Sequence, residues 1–426
     1  MFCAPRKKFN VSRLDQRWRI QRTILFLFVI ILLAGCDSNT LPSSPLPSSP
    51  LGLSSDLKRG PYVQLGGTES ILVVWETISN TQGAVEFGLT DSLGTRIASS
   101  ELGTRHSLSL TGLQSSTYYY YRVLDGGRPL SQITRFHTNQ QSNLTNFSFL
   151  VVGDSGFGSV EMFKVADLIN ASAASFGLHT GDVIYFYGEE HLYDSYFFYP
   201  YARFLATNVM YMSIGNHDLV TDSGAPFLNN FYLPANNLDG TELYYSFDYG
   251  QAHFVALATN LSTAPGSAQR TWLERDMATT TKPWKFVFFH NPPYTAGFII
   301  IDGTRVDLAD LSVRRNLAPL FELFGVDIVF SGHSHSYERT FPILQNHPVD
   351  EEQDPYYVNP SGPIYVTTGG GGAPLLGLDS SSLNARAVSA YHIVEVSLSD
   401  DELIGRAIEP GVGVIDEFRV VHQETR

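Results

Sequence analysis

Cysteine is nearly missing from this 426-residue chain: Cys3 and Cys36 are the only two. A disulfide framework is therefore excluded, as is a thiolate-rich metal site, and stability has to come from packing in large cores. Positive charge is scarce as well. Lys and Arg number 28 against 42 Asp and Glu, a net charge of −14. Such an acidic surface repels polyphosphate backbones and argues against general nucleic-acid binding. Long apolar runs are also lacking. The stretch Ile24 to Ala34 falls well short of the roughly 20 residues that a membrane-crossing helix needs.

That short stretch has a meaning of its own. Arg6, Lys7, Lys8, Arg13, Arg17, Arg19 and Arg22 precede it, giving the order of a positive region and then an apolar core that marks a signal peptide. Leu33-Ala34-Gly35-Cys36 resembles the bacterial lipobox, in which the cysteine is lipidated and becomes the new N-terminus. The expectation is a lipoprotein signal peptide over 1–35, lipidation at Cys36, and an exported bacterial lipoprotein anchored to a membrane, periplasmic or at the cell surface. A soluble secretory signal or an uncleaved anchor is the alternative. Cleavage would remove seven basic residues and Asp15, taking the net charge from −14 to −20. Residues 36–56, with the run LPSSPLPSSP, have too little apolar content to fold and read as a semi-extended tether reaching about 60 Å.

Glycine (36) and proline (22) are plentiful, favouring a loop-rich, strand-rich chain over a helical bundle, and the length favours two folded units. Residues 57–141 read as all-β, with strands expected over Ser70 to Thr77, Ala84 to Gly88, His106 to Leu110, Thr117 to Leu124 and Ile133 to Thr138. Short strands at this spacing imply a sandwich. Leu113-Gln114-Ser115-Ser116-Thr117-Tyr118-Tyr119 resembles the fibronectin type III corner, with Tyr119 as the residue whose hydroxyl pins the strand entry, although Ser115 stands where that family has proline. Tyr118 to Tyr121 could form a carbohydrate-binding surface; strand alternation, two inward and two outward, explains them more simply.

From Asn146 the pattern changes to strands alternating with helices, an α/β layered domain over 145–422. Phe147 to Val152 is a buried strand, and Met162, Val165, Ala166 and Ile169 share one helical face. Val209 to Ile214 and Lys285 to Phe289 are further strands. Val313, Leu317, Leu320, Phe321 and Phe324 form a second stripe, stopped by Gly325 and followed by strands over Asp327 to Phe330 and Ile364 to Thr367.

Most of these strands end in a short polar cluster: Gly153-Asp154-Ser155-Gly156, Gly181-Asp182-Val183-Ile184-Tyr185, Gly215-Asn216-His217-Asp218, His290, and Gly332-His333-Ser334-His335. Loops at strand C-termini converge in α/β folds, and that is where ligands bind. The donors are carboxylates, a phenol, an amide and imidazoles. A bridging carboxylate can hold two cations together and offset their charge, an amide oxygen binds without adding charge, and imidazole suits Zn, Fe and Ni. A phenolate is a hard, strongly donating ligand that favours trivalent iron. His333 and His335, two apart in extended chain, face the same side. Glycine ahead of most clusters lets the backbone turn sharply and approach the ions.

Taken in order, Asp154, Asp182 with Tyr185, Asn216-His217, Val287-Phe288-Phe289-His290 and Gly332-His333-Ser334-His335 resemble the five motifs of the purple acid phosphatases, within the calcineurin-like metallophosphoesterase superfamily. The preceding fibronectin III-like sandwich is similar to that family's N-terminal domain. The resemblance implies a dinuclear centre in an α/β metallophosphoesterase domain built as a β-sandwich flanked by helices. Asp154, Tyr185 and His335 would hold Fe(III), Asp182 would bridge, and Asn216, His290 and His333 would hold a divalent Fe, Zn or Mn. It implies hydrolysis of phosphate monoesters on small phosphorylated substrates by a dinuclear-metal hydroxide mechanism. His217 is then a general acid or, alternatively, an orienting neighbour of a metal ligand.

One departure stands out. Plant and animal members place further histidines just after the fourth motif, whereas His290 is followed by Asn291-Pro292-Pro293-Tyr294, which leaves the substrate contacts open. His191 and Arg305 are candidates, against the plainer reading of each as an exposed loop residue. His179 reads as a packing residue or an orienting neighbour of the metal site, His253 and His392 as core or edge residues, and Gly369 to Gly372 as a tight turn, since no Lys-Ser/Thr helix follows to make a nucleotide loop. A phosphodiesterase with the same centre is the nearest alternative, and a non-catalytic surface binding protein a more distant one.

Overall fold

The computed structural model describes residues 51–52, 54–139 and 146–423. The expected signal peptide over 1–35, Cys36 and most of the expected tether lie outside the described residues. No helix among the described residues is long and apolar enough to cross a membrane.

Two of the expected N-terminal strands are one. Ser70–Gly88 runs for 19 residues, pairing first with Leu57–Gln64 and later with Tyr118–Asp125, and with Thr95–Thr111 along most of its length. Trp75, fully buried, stacks on His106 with ring centroids 4.9 Å apart. Tyr119 accepts a hydrogen bond from the Gln114 backbone N–H through its hydroxyl (3.0 Å), as a tyrosine corner does, without the proline. Tyr119 and Tyr121 point inward and Tyr118 is exposed, so alternation accounts for the tyrosine run. Residues just before this unit are engaged with it: Gly52 bridges Ser131, and Arg128 pairs with Asp56.

Among the described residues that follow, two seven-stranded sheets pack face to face, with a three-stranded and a two-stranded sheet beside them. One sheet runs Tyr356–Val358, Gly413–Val421, Glu402–Glu409, Ile393–Ser399, Phe147–Val152, Phe176–His179 and Val209–Met212. The other runs Tyr245–Tyr249, Ala252–Ala256, Trp284–Phe289, Ile328–Ser331, Ile364–Thr368, Tyr337–Thr340 and Asn384–Val388. Phe149 of the first sheet meets Phe254 and Phe286 of the second edge-on, each at 5.2 Å, a geometry favoured by the ring quadrupoles. Helix Val160–Ala171 buries Met162, Val165, Ala166 and Ile169, and Ser159 caps it by accepting from the Met162 amide. Helix Leu311–Phe324 ends at Gly325, whose left-handed φ of 62° glycine adopts without the steric cost other residues meet, and it tolerates Pro319 inside.

His253 fastens helix Ala268–Thr279 to the sheet beneath it. Its ring lies 2.7 Å from Asp248 on the neighbouring strand and 2.9 Å from Asp276 on the helix. Burial works against the charged imidazole, but the bonds to the two carboxylates outweigh it and lift the pKa to about 9. A raised folded-state pKa contributes stability that is complete below the unfolded value of about 6.5 and is lost as pH climbs through about 9. His253→Gln should therefore destabilise by roughly 2 kcal/mol near pH 6, the half-exposed Asp248 weakening the pairing. In thermal melts the gap from the native chain should close above pH 9.

The two units meet through buried polar contacts. Arg59, inaccessible to solvent, donates to Asp194 and to the Asn230 side chain, faces Glu76 at 3.5 Å, and lies 4.2 Å over the Phe198 ring. Tyr121 donates to the Ala206 carbonyl at 2.7 Å. The N-terminal sandwich thus braces the segment that follows Tyr185.

Candidate metal centre

Five strand ends meet at one edge of the paired sheets. Asp154, Asp182, Tyr185 and Asn216 follow strands of the first sheet; His290, His333 and His335 follow strands of the second. Oxygen donors come from one sheet and nitrogen donors from the other. Asp154, Asp182 and His333 hold left-handed backbone conformations (φ 58°, 53° and 66°), which non-glycine residues adopt at a cost. Glycine is required beside them for space. A Cβ at Gly215 would sit 2.1 Å from Asp182 Oδ1, and one at Gly332 would sit 2.4 Å from Asp154 Oδ2.

All seven predicted donors belong to one connected cluster. The Tyr185 hydroxyl lies 2.9 Å from Asp154 Oδ1, 3.2 Å from Asp182 Oδ2 and 3.0 Å from His335 Nε2. On the other side His290 Nε2 is 3.0 Å from Asn216 Oδ1, 3.2 Å from His333 Nδ1 and 3.1 Å from Asp182 Oδ2. Asp182 Oδ2 therefore touches both groups of donors. Asp182, His290 and His333 present ligand atoms that all lie within 4.8 Å of one another.

The donors crowd one another. The Tyr185 hydroxyl faces Asp154, Asp182 and His335 at once. His290 Nδ1 is directed at the Thr180 carbonyl (3.0 Å) and His335 Nδ1 at the Pro374 carbonyl (2.7 Å). Each ring is thereby anchored through Nδ1, with Nε2 turned to the cluster, the usual way of fixing a ligating imidazole. Burial raises the Tyr185 pKa well above the ordinary phenol value, and the charges of Asp154 and Asp182 add to it. Burial opposes a proton on His290, but Asp182 raises its pKa to about 9; burial and the charge of His290 then hold His333 down to about 3. Carboxylates, a phenol, an amide and imidazoles turned toward one another at these distances fit a pair of cations.

His217 stands beside the cluster. Its Nδ1 lies 2.7 Å from the Phe186 carbonyl, its Nε2 is 3.9 Å from Asp182 Oδ2, and its ring packs on Tyr185. Of the other histidines, His179 bonds to Ser155 (2.9 Å) and receives the Gly181 N–H, a supporting position next to Asp154 and Asp182. His392 is buried against Tyr337. Arg305 is engaged elsewhere, paired with Asp307 and Asp379 and stacked on Phe298. Asp218 went unassigned in the sequence although it ends the Asn216-His217 cluster. It is buried and accepts from Gly215 N–H (3.0 Å) and Val183 N–H (2.9 Å), locking two of the five loops together. Burial, then the charge of Asp182, pushes its pKa up to about 7.

A family model described as Calcineurin-like phosphoesterase matches residues 147–337, and one described as Purple acid Phosphatase, N-terminal domain, matches residues 59–138. The chain belongs to the purple acid phosphatase family. As a purple acid phosphatase homologue it is a metallophosphoesterase, and the family implies a dinuclear metal centre. It is 28% identical to purple acid phosphatase 15 of Arabidopsis thaliana over 63% of this chain and 54% of that protein. It is 27% identical to acid phosphatase type 7 of Mus musculus over 72% of this chain and 76% of that one. A purple acid phosphatase from yellow lupin (Lupinus luteus) seeds shares the fold, with a TM-score of 0.76 at 21% identity over 86% of this chain and 75% of the lupin chain.

Proposed function

We propose that this purple acid phosphatase homologue is an exported, lipid-anchored phosphatase acting on phosphate monoesters. The supporting observation is the contact of seven donors in two groups with Asp182 between them. Asp154, Tyr185 and His335 would hold iron(III), and Asn216, His290 and His333 a divalent Fe, Zn or Mn, with Asp182 shared. Cations held there would bring the pKa of water from 15.7 toward about 7 and stabilise charge developing on the phosphoryl oxygens.

The protein's own groups supply the rest. With Nδ1 donating to the Phe186 carbonyl, His217 keeps Nε2 as the nitrogen that can carry a proton to the departing alkoxide. Asp218 fixes the turn bearing Asn216 and His217 against the Asp182 loop through the Gly215 and Val183 amides. Export and anchoring rest on the basic segment, the apolar core and Cys36.

Metal analysis with a visible spectrum tests this reading, together with rates on an aryl monoester and its bis-ester. A phenolate-to-iron(III) absorption band should be present and the monoester should turn over faster. Tyr185→Phe should abolish the band while leaving the divalent ion bound. Iron-loaded native protein with no such band would overturn the Tyr185 assignment, and faster bis-ester turnover would make the protein a phosphodiesterase.

A further inference from the structure

Glu338 is a buried carboxylate, 1% exposed, and no salt bridge to it is present among the described residues. It lies in strand Tyr337–Thr340, just past His335. A lone buried carboxylate costs several kcal/mol unless hydrogen bonds replace its water. Here they do, with a clear division between its two oxygens. Oε1 faces three hydroxyls: Thr295, Ser336 (3.2 Å) and, more distantly, Ser334 (3.5 Å). Oε2 receives two N–H groups, the Ala296 amide (2.7 Å) and Asn384 Nδ2 (2.8 Å).

The segments so joined belong to the site. Thr295 and Ala296 follow Asn291-Pro292-Pro293-Tyr294 after His290 and form the base of the hairpin Gly297–Ile301 with Thr304–Asp307. Ser334 lies between His333 and His335, and Ser336 follows. Gly297 is so close to Ser334 that a Cβ there would lie 2.0 Å from the serine Oγ. Farther along, Leu376 N–H bonds to the His335 carbonyl and Asp379 N–H to the Ala296 carbonyl, closing a ring of backbone contacts around the same carboxylate.

We infer that Glu338 is a positioning residue, which holds the hairpin base that follows His290 against the His333–His335 loop by accepting hydrogen bonds from both. It acts through geometry and not through charge. Its effect on catalysis rests on the reading of these histidines as ligands; its effect on the hairpin does not.

The division between the oxygens makes this testable. Hydroxyls can turn round and accept, whereas Ala296 N–H and Asn384 Nδ2 only donate. Glu338→Gln can place the two hydrogens of its amide NH2 toward the nearer hydroxyls, Thr295 and Ser336, and its oxygen toward the two N–H groups, giving up only the distant Ser334 contact. Glu338→Ala leaves the N–H groups unpaired. Hydrogen exchange over residues 295–307 and kcat/KM on an aryl monoester are measured for both variants. Glu338→Ala should exchange at least about tenfold faster there and lose about 10- to 100-fold in kcat/KM, as removal of an outer support for metal ligands does. Glu338→Gln should stay within about threefold of native on both counts. Native exchange in Glu338→Ala overturns the proposal, and so does equal damage in both variants, which would assign the role to charge. Should Glu338→Ala fail to fold, Asn384→Ala removes one donor to Oε2 and should speed exchange at the hairpin base; unchanged exchange overturns the proposal. Inactive native protein would count against the phosphatase reading alone, because the exchange measurement stands without it.

Discussion

Asp182→Asn is expected to yield folded protein that has lost both its metal ions and its phosphatase activity together. The substitution keeps the shape of the side chain, and an oxygen can still accept the His217 backbone N–H that now reaches Asp182 Oδ1 at 2.8 Å. It removes the negative charge whose Oδ2 lies against both Tyr185 and His290. Losing an outer partner of a metal ligand costs about 10- to 100-fold in affinity, so losing the shared carboxylate should cost well over 100-fold. The measurement is metal per chain after dialysis, alongside the rate on an aryl phosphate. Retention of both ions at the native level would show that Asp182 does not bridge.

His217→Ala should separate chemistry from metal binding. The ring is not among the seven converging donors, so metal content should stay native. Positioned general acids contribute about 10²- to 10⁴-fold, and the benefit grows with the basicity of the leaving group. The variant should therefore lose on the order of 100-fold or more on alkyl phosphates and far less on nitrophenyl phosphate, whose leaving group departs without help. A loss that is the same for both substrates would mean that the His217 ring supports Tyr185 and Asp182 by packing against them. Undiminished turnover of alkyl phosphates with native metal content rules out the acid role.

The donors were legible in the sequence because their clusters follow strongly apolar strands and most of them begin with a glycine, two local signals. Helix Val160–Ala171 was legible for the same reason, its four buried residues being spaced by the helical period. What could not be read is what depends on distant pairing. Ile393–Ser399 lies next to Phe147–Val152 although more than 240 residues separate them, and nothing local marks the register. The long strand Ser70–Gly88 read as two because exposed residues interrupt its apolar pattern at 78–80. Arg59 gave no sign of bonding to Asp194, and nothing local in the sequence marks the five donors that meet at Glu338. Supports made by backbone carbonyls, such as Thr180, Phe186 and Pro374, carry no mark in the side-chain sequence at all.

On the proposed assignment of ligands, the split of donors between the two sheets would give the ions a role during biogenesis. Neither half of the sandwich carries a complete proposed set for either ion: the first supplies acids, amide and phenol, the second only imidazoles. Tight capture would wait until the halves had docked across their aromatic seam, so a loaded centre would certify a finished fold. Once loaded, it would act as a rivet through that seam, opposing the separation of the layers at the edge that carries the site.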